Sequence, residues 1–211
     1  RVKTYFDPLP IWYEPLEEAM VPHDEYPIHA ITQRPMAMYH SWGSQNAWLR
    51  QIHGYNRLCM HRDLAAEIGV ADDDWVHVES HHGRIKCQVR TMTGCERNTV
   101  WTWNAIGKRR GAWHLDPDAA EGEKGFLLNH LISDLLPKSA GGRRMSNSDP
   151  VTGQAAWFDL RVKITRTEVG DGCSEPQFEP LKPVPGIVSK PKDLRFGEEF
   201  LPEGSWRRKK S

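Results

Sequence analysis

Proline placement constrains this chain more than any other feature. Twelve of its fifteen prolines fall within residues 1–35 or 171–211. A proline has no N–H to give to a sheet ladder and fixes its own φ, so central strands and helix interiors exclude it. The asymmetry predicts arms around a compact centre that runs from about Tyr26 to Arg166. Three parts follow: an extended N-terminal arm over 1–25, a compact domain over 26–166, and a Pro/Lys-rich C-terminal arm over 167–211. The last has little periodicity and is expected to be disordered or to wrap along a partner surface. Its basic end, "WRRKKS", reads as a solvated tail.

Strand patterns recur inside the centre. "IHAITQ" (28–33) alternates, and so does "WVHVES" (75–80) after the acidic turn "ADDD". "HHG" reads as a hairpin turn, with Gly83 permitting its tightness, into "RIKCQVRTM", where Ile85, Cys87 and Val89 share one face. "NTVWTW", "AWFDLRVKI" and the short "RLCM" supply three more strands. "RDLAAEIG" predicts a two-turn helix closed by Gly69 in the left-handed conformation, and "GFLLNHLISDLL" a second short helix. The expected fold is mainly β with short helices, a small barrel. No repeat of 20–50 residues appears.

Composition removes several function classes. The 28 basic and 28 acidic residues cancel, so no global field draws nucleic acid or an anionic membrane. Mean hydropathy is -0.65 and no apolar run approaches the length of a membrane-spanning helix. Cys59, Cys87, Cys95 and Cys173 show no CxxC spacing, so a zinc or iron–sulfur site from this chain alone is not expected. Asp72 to Asp74 lack the spaced ligands of a calcium loop and read as a solvated turn. His81 and His82 are adjacent on a hairpin tip, where side chains diverge. "WTWNAIGKRRGAWHLD" interleaves Trp101, Trp103 and Trp113 with Lys108, Arg109 and Arg110, a pattern that can clamp single-stranded nucleic acid. The balanced charge and the lack of a second basic stripe argue against that use. No Ser–His–Asp set or carboxylate pair stands out as catalytic, and no metal ligands are assigned.

One stretch remains unexplained by core or surface needs. "ITQRPMAMYHSWGSQNAW", Ile31 to Trp48, sets uncharged hydrogen-bonding groups and one arginine among aromatics and methionines. Thr32, Gln33, Ser41 and Gln45 offer paired donors and acceptors, and Arg34 a charge-assisted donor suited to phosphate or a carbonyl. Taken by itself, His40 reads first as a backbone-bonded core histidine, with a ligand contact as the alternative. Trp42 and Trp48 read first as core plugs, with Trp42 kept as a marginal contact.

Three pieces in order carry a family resemblance: "ITQRPMAMYHSWGSQN", "RLCMHRDLAAEIGVADDDWVHVESHHGRI", and "LLNHLISDLL" with "NSDPVTGQAAWFDLRVKI". Together they resemble the C-terminal domain of the dimethyl sulfoxide reductase superfamily, the molybdenum-bis(molybdopterin guanine dinucleotide) oxidoreductases. Within it, "RPMAMYHSWGSQNAWLRQI" is most similar to the sulfite dehydrogenase and polysulfide or thiosulfate reductase branch. The resemblance implies a double-psi β-barrel over about Tyr26 to Arg166. It implies cofactor binding by Thr32, Gln33, Arg34, His40, Ser41, Trp42 and Gln45, joined by Asn129 from the barrel's far side. It departs from the family at Phe158, near where a lysine is often found. Molybdenum-bis(molybdopterin guanine dinucleotide) is the expected cofactor, and a 4Fe-4S cluster is expected elsewhere in a longer subunit. Expected partners are the remaining domains of that subunit and an iron–sulfur electron-transfer subunit with its membrane anchor subunit, but no nucleic acid. The expected location is cytoplasmic or membrane-associated through those partners, and the chain beginning at Arg1 is expected to be a piece that is inactive alone. The competing class is a free-standing double-psi barrel that binds or docks without catalysis.

Overall fold

The computed structural model describes residues 9–12, 14–40, 42–43, 46–53, 56–104, 106, 126–138, 145–149, 151–155 and 159–167, with the backbone of 177–178. All lie in the compact unit Arg1–Glu179. The strands are β1 (Ile28–Gln33), β2 (Leu58–His61), β3 (Trp75–Glu79), β4 (Gly83–Met92), β5 (Thr99–Trp103), β6 (Arg161–Arg166) and β7 (Gln177–Phe178). Three short helices accompany them: α1 (Leu16–Met20), α2 (Ala47–Ile52) and α3 (Arg62–Ile68).

Strand order is β2-β5-β1-β6-β3-β4-β7, and β2 also pairs with β4, so the first six strands close into a barrel. Closure removes the open edges that a sheet of this size would otherwise present. Two pairs are parallel: β1 with β5, in register Ile31↔Trp101, and β2 with β4, in register Met60↔Thr91. The other ladders are antiparallel. Two parallel pairs inside an otherwise antiparallel closed barrel require crossing connections, which is the double-psi arrangement expected from the sequence. β7 extends β4 at Arg84↔Gln177, a pairing the proline-rich arm did not announce.

The interior is aliphatic. Leu58, Met60, Val76, Val78, Val89, Val100, Leu131, Leu160 and Val162 are all shielded from solvent. Burying each such side chain contributes about 1.5–3 kcal/mol relative to exposure. Ile85, Cys87 and Val89 do share an interior face, but Lys86 and Gln88 on the opposite face of β4 are buried as well. Gln88 reconciles its polarity with burial by donating Nε2–H to the Asp73 carbonyl at 2.9 Å.

α3 forms where its apolar spacing and its terminators agree. His61 caps its start by accepting the Asp63 N–H at 3.1 Å, and Gly69 ends it at φ +76. Four expectations change. "GFLLNHLISDLL" holds only a single 3-10 turn, Leu128–Leu131, because its buried residues recur at near-alternate positions (Phe126, Leu128, Leu131, Ser133, Leu136) and not on a helical face. The β3–β4 turn is held by Ser80, whose Oγ accepts the His82 and Gly83 N–H groups, and Gly83 itself begins β4. β6 starts at Arg161, later than "AWFDLRVKI" indicated. The N-terminal segment is not simply extended, since α1 brings Glu17 against the barrel. The C-terminal arm from residue 179 onward lies outside the described residues.

Candidate functional site

β1 and β5 run parallel and end together, so their C-terminal residues form one rim. Thr32 pairs with Thr102 and Gln33 with Trp103, and the Asn104 N–H donates to the Gln33 carbonyl at 2.8 Å. The chain then leaves β1 into the polar loop. Asn104 Nδ2 lies 3.5 Å from His40 Nδ1, linking that loop back to β5. His40 holds the left-handed conformation at φ +49, a strained setting for a non-glycine residue.

The loop is ordered by its own contacts. Arg34 stacks its guanidinium over Tyr39, 5.6 Å from the ring centroid. Tyr39 meets His40 edge-on at 4.9 Å and Trp42 at 6.4 Å. The Trp42 N–H donates to the Tyr39 carbonyl at 2.9 Å. Gly43 follows at φ +79, where an added Cβ would come within 2.9 Å of Leu49 Cδ1. Asn46 then caps α2, its Oδ1 accepting the Trp48 and Leu49 N–H groups at 2.9 and 3.4 Å.

Behind the rim stands Asn56, fully buried. Its Nδ2 donates to the carbonyls of Trp103 and Ile106 at 2.8 and 3.2 Å, and its Oδ1 accepts the N–H groups of Arg57 and Trp103. This amide fixes where β5 ends and therefore where Asn104 points.

Gln33 and His40 are thus joined through Asn104, and Arg34 is held over Tyr39. Trp42 and Trp48 are 74% and 77% exposed, which corrects the expectation of core plugs. Ser41 and Gln45 lie outside the described residues. Asn129 sits exposed on the 3-10 turn, which Ser80 holds by donating its Oγ–H to the Leu131 carbonyl at 2.7 Å. Asn129 is therefore positioned from the β3–β4 hairpin, while Arg34 and His40 are positioned from β5.

Sequence reasoning missed Thr102, Asn104 and Asn56. Thr102 Oγ1 and Asn104 Oδ1 are buried and have no hydrogen-bond partner among the described residues. Buried polar atoms are nearly always paired, so these two atoms near the end of β5 leave bonding capacity that a water or a ligand group could take up. The only sequence signal was a Thr and an Asn at the end of a strand dominated by tryptophans. With exposed Gln33 and Arg34 beside them, the rim offers neutral donors, neutral acceptors and one cation. A pterin edge with its attached phosphates needs that combination, and the residues present fit it.

An open cleft of about 740 Å³ adjoins the rim, lined in part by Arg50, His53, Arg57, Arg90, Trp101 and Trp103. The tryptophans meet edge-on at 4.7 Å. Arg57 pairs with Asp73, and Arg90 Nη1 lies 3.6 Å from Asp72 Oδ2, which offsets much of the basic character. Backbone bonding from Thr91 holds the Asp72 carboxyl below its usual range. Cys59 also lines this cleft, its thiol pushed up to about 11 by burial, so it is an inert thiol at neutral pH. Trp113, Lys108, Arg109 and Arg110 lie outside the described residues, as do Phe158 and Cys173.

Barrel and rim together define a cofactor-binding β-barrel whose polar loop follows its first strand. Residues 28–147 match the family described as the molydopterin dinucleotide binding domain. The match spans more than half of the chain, and the chain belongs to that family. It is 57% identical over 191 residues to a sulfite dehydrogenase subunit of Allochromatium vinosum, covering 90% of this chain and 20% of that protein. It is 30% identical over 115 residues to the dimethyl sulfoxide/trimethylamine N-oxide reductase of Rhodobacter capsulatus, covering 53% of this chain and 13% of the reductase. Acetylene hydratase from Pelobacter acetylenicus shares the fold, with a TM-score of 0.53 at 23% identity over 78% of this chain and 22% of the hydratase. The chain spans about a fifth or less of the length of the two curated relatives named here. The resemblance to the dimethyl sulfoxide reductase superfamily, and to its sulfite dehydrogenase branch, holds.

Proposed function

We propose that this chain holds the pterin side of molybdenum-bis(molybdopterin guanine dinucleotide) within a catalytic subunit that oxidises or reduces a sulfur oxyanion. The observation that carries the reading is the 57% identity to the sulfite dehydrogenase subunit across 90% of the chain. Thr102 Oγ1 and Asn104 Oδ1, buried without a partner among the described residues, support it. When bound, the molybdenum–pterin group supplies a two-electron redox change with oxygen-atom transfer.

This chain's own residues bind and orient. Arg34 gives a charge-assisted bond to a phosphate or pterin carbonyl, and its stacking on Tyr39 limits the rotamers lost on binding. Thr32, Gln33, Ser41, Gln45 and Asn104 supply neutral contacts, Trp42 a marginal one. His40 donates or accepts according to its tautomer, and Asn129 reaches the same group from the hairpin side. No residue of the chain is assigned as acid, base or nucleophile. A 4Fe-4S cluster in another part of the polypeptide, with an iron–sulfur subunit and its membrane anchor subunit, would supply the electron-transfer chemistry in this reading. The location is cytoplasmic or membrane-associated through those partners. Family membership favours this over a free-standing barrel that only docks.

The test is molybdenum and guanine nucleotide content of the full-length polypeptide, with sulfite-dependent reduction of an artificial acceptor. Losing a charged hydrogen bond costs about 1.5–3 kcal/mol, so Arg34→Ala should weaken cofactor retention roughly ten- to hundredfold. Asn129→Ala should be milder, and the double variant non-additive because both contacts serve one ligand. Arg110→Ala is the control and should retain full content. Full retention in both site variants with loss in Arg110→Ala would place the site on the wrong loops.

A further inference from the structure

Between Met36 and Ile52 the only fixed charge is Arg50, in a chain whose charged residues make up 27% of the whole. A segment so poor in charge suits a core, yet its large side chains lie in solvent. Met36 is fully exposed, and Tyr39, Trp42, Trp48 and Ile52 are each more than half exposed. The backbone that presents them is fixed. Pro35 and Met38 are buried and anchor the loop, and the Met38 N–H donates to the Pro35 carbonyl at 3.2 Å. Gly43 comes so near α2 that an added Cβ would lie 2.9 Å from Leu49 Cδ1, which sets the Trp42 end of the loop against the helix. Trp48 and Ile52 stand four apart on one face of α2, and that helix buries no residue of its own.

Size and composition both mark this face as one meant to be covered. Large side chains of these types each present on the order of 150–250 Å², so the five together uncover roughly 700 Å². The largest apolar patch on an ordinary monomer is about 300–600 Å², and one side of a stable interface is about 800 Å². Met, Tyr and Trp with one Arg, and without Lys, Asp or Glu, is the make-up of an interface centre. The face also borders the polar rim, since Arg34 lies over the Tyr39 ring.

We propose that Met36, Tyr39, Trp42, Trp48 and Ile52 form a docking surface for another domain of the same catalytic polypeptide, which closes over the polar rim and excludes water from it. The inference rests on the reading that the chain is one part of a longer subunit, and not on which cofactor that subunit holds. The sulfite dehydrogenase subunit that matches 90% of this chain is covered by the match over only 20% of its length, so further polypeptide accompanies this region in that relative. Two other occupants suit the face less well. Twelve of residues 180–211 are charged, and charge is depleted in the centre of an interface. A second copy on the same face would set two rims against each other and obstruct both.

Photo-crosslinking in the full-length polypeptide tests the assignment. Replacing Trp48, and separately Met36, by p-benzoylphenylalanine puts a reactive ring on the face. Irradiation should join each position to a peptide of the same polypeptide that lies outside these 211 residues. A product joined to residues 180–211, to a second copy or to a different subunit overturns the proposal, and so does the absence of any product at both positions. Peroxide oxidation of Met36 gives a reading without a variant. In the full-length polypeptide it should run at least about tenfold slower than in a synthetic peptide of residues 33–39, because a covered thioether is shielded from the oxidant. The slowing should appear both in molybdenum-loaded polypeptide and in polypeptide expressed without molybdate. Slowing in the loaded form alone would make the cofactor the cover and sink the docking, and an unslowed rate in both forms would sink it too. Slowing in both forms, with no molybdenum bound in either, would support the docking while the cofactor reading fails.

Discussion

Asn56 and Thr102 mark the two ways a buried polar side chain can be used at this rim, and mutation should separate them. Asn56 uses both halves of its amide, donating to two carbonyls and accepting from two backbone N–H groups. Truncation leaves those groups unpaired beneath the site, and each buried orphan costs about 1–3 kcal/mol. Relaxation recovers part of that, so Asn56→Ala should lose roughly 2–4 kcal/mol, read from the denaturant midpoint at constant slope. Thr102 Oγ1 has no partner among the described residues. Thr102→Val removes a buried hydroxyl that protein does not satisfy, so stability should hold or rise by up to about 1 kcal/mol. If Thr102 meets the cofactor, the same change lowers molybdenum content in the full-length polypeptide. A Thr102→Val variant that destabilises the chain and keeps its cofactor would show the hydroxyl to be structural.

Helices and strands were legible where two local signals agreed. α3 was marked by "RDLAAEIG" with its terminal Gly69, and it forms over Arg62–Ile68, ending at that glycine. Gly69 adopts φ +76 with nothing within 4 Å of an added Cβ, so Gly69→Ala meets conformational cost alone. That cost is about 1–2 kcal/mol, and thermal melting should show it as a loss of a few degrees. α2 escaped detection because it buries no residue at all, so no apolar face was there to find. Its definition comes from the Asn46 cap, a signal lost among the other polar residues of the loop. The leucines before Leu136 misled in the opposite sense, since their apolar density suited a helix while their burial follows near-alternate positions. The site was half readable for a related reason. Thr32, Gln33, Arg34 and His40 stand in a stretch whose polarity shows in the letters. Thr102 Oγ1 and Asn104 Oδ1 matter because the fold buries these atoms without a hydrogen-bond partner among the described residues, and burial is a property of the closed fold that no local window contains.

At the scale of the molecule, closure ties stability to every strand while leaving the rim on its outside. The β2–β4 pairing is the seam, and Met60 lies on it fully buried beside Leu58 and Val89. Met60→Ala should cost about 2–5 kcal/mol, because a closed barrel collapses poorly around a cavity. For a chain of this length, each kcal/mol moves the melting temperature by about 2–4 °C. A barrel has no free edge from which to fray, so backbone and tryptophan signals should lose structure together in one transition. Arg34 is exposed and contacts the ring of Tyr39, so Arg34→Ala should leave the melting temperature of the 211-residue chain within about a degree or two. In the full-length polypeptide the ordering reverses. Met60→Ala should keep its cofactor wherever the barrel is still folded, and Arg34→Ala should lose it from a barrel that is intact. Melting curves of the chain and molybdenum content of the full-length polypeptide, measured on both variants, test the separation. Coupled losses in both readouts for Arg34→Ala would mean that the rim loop is part of what closes the barrel, and that division of labour would fail.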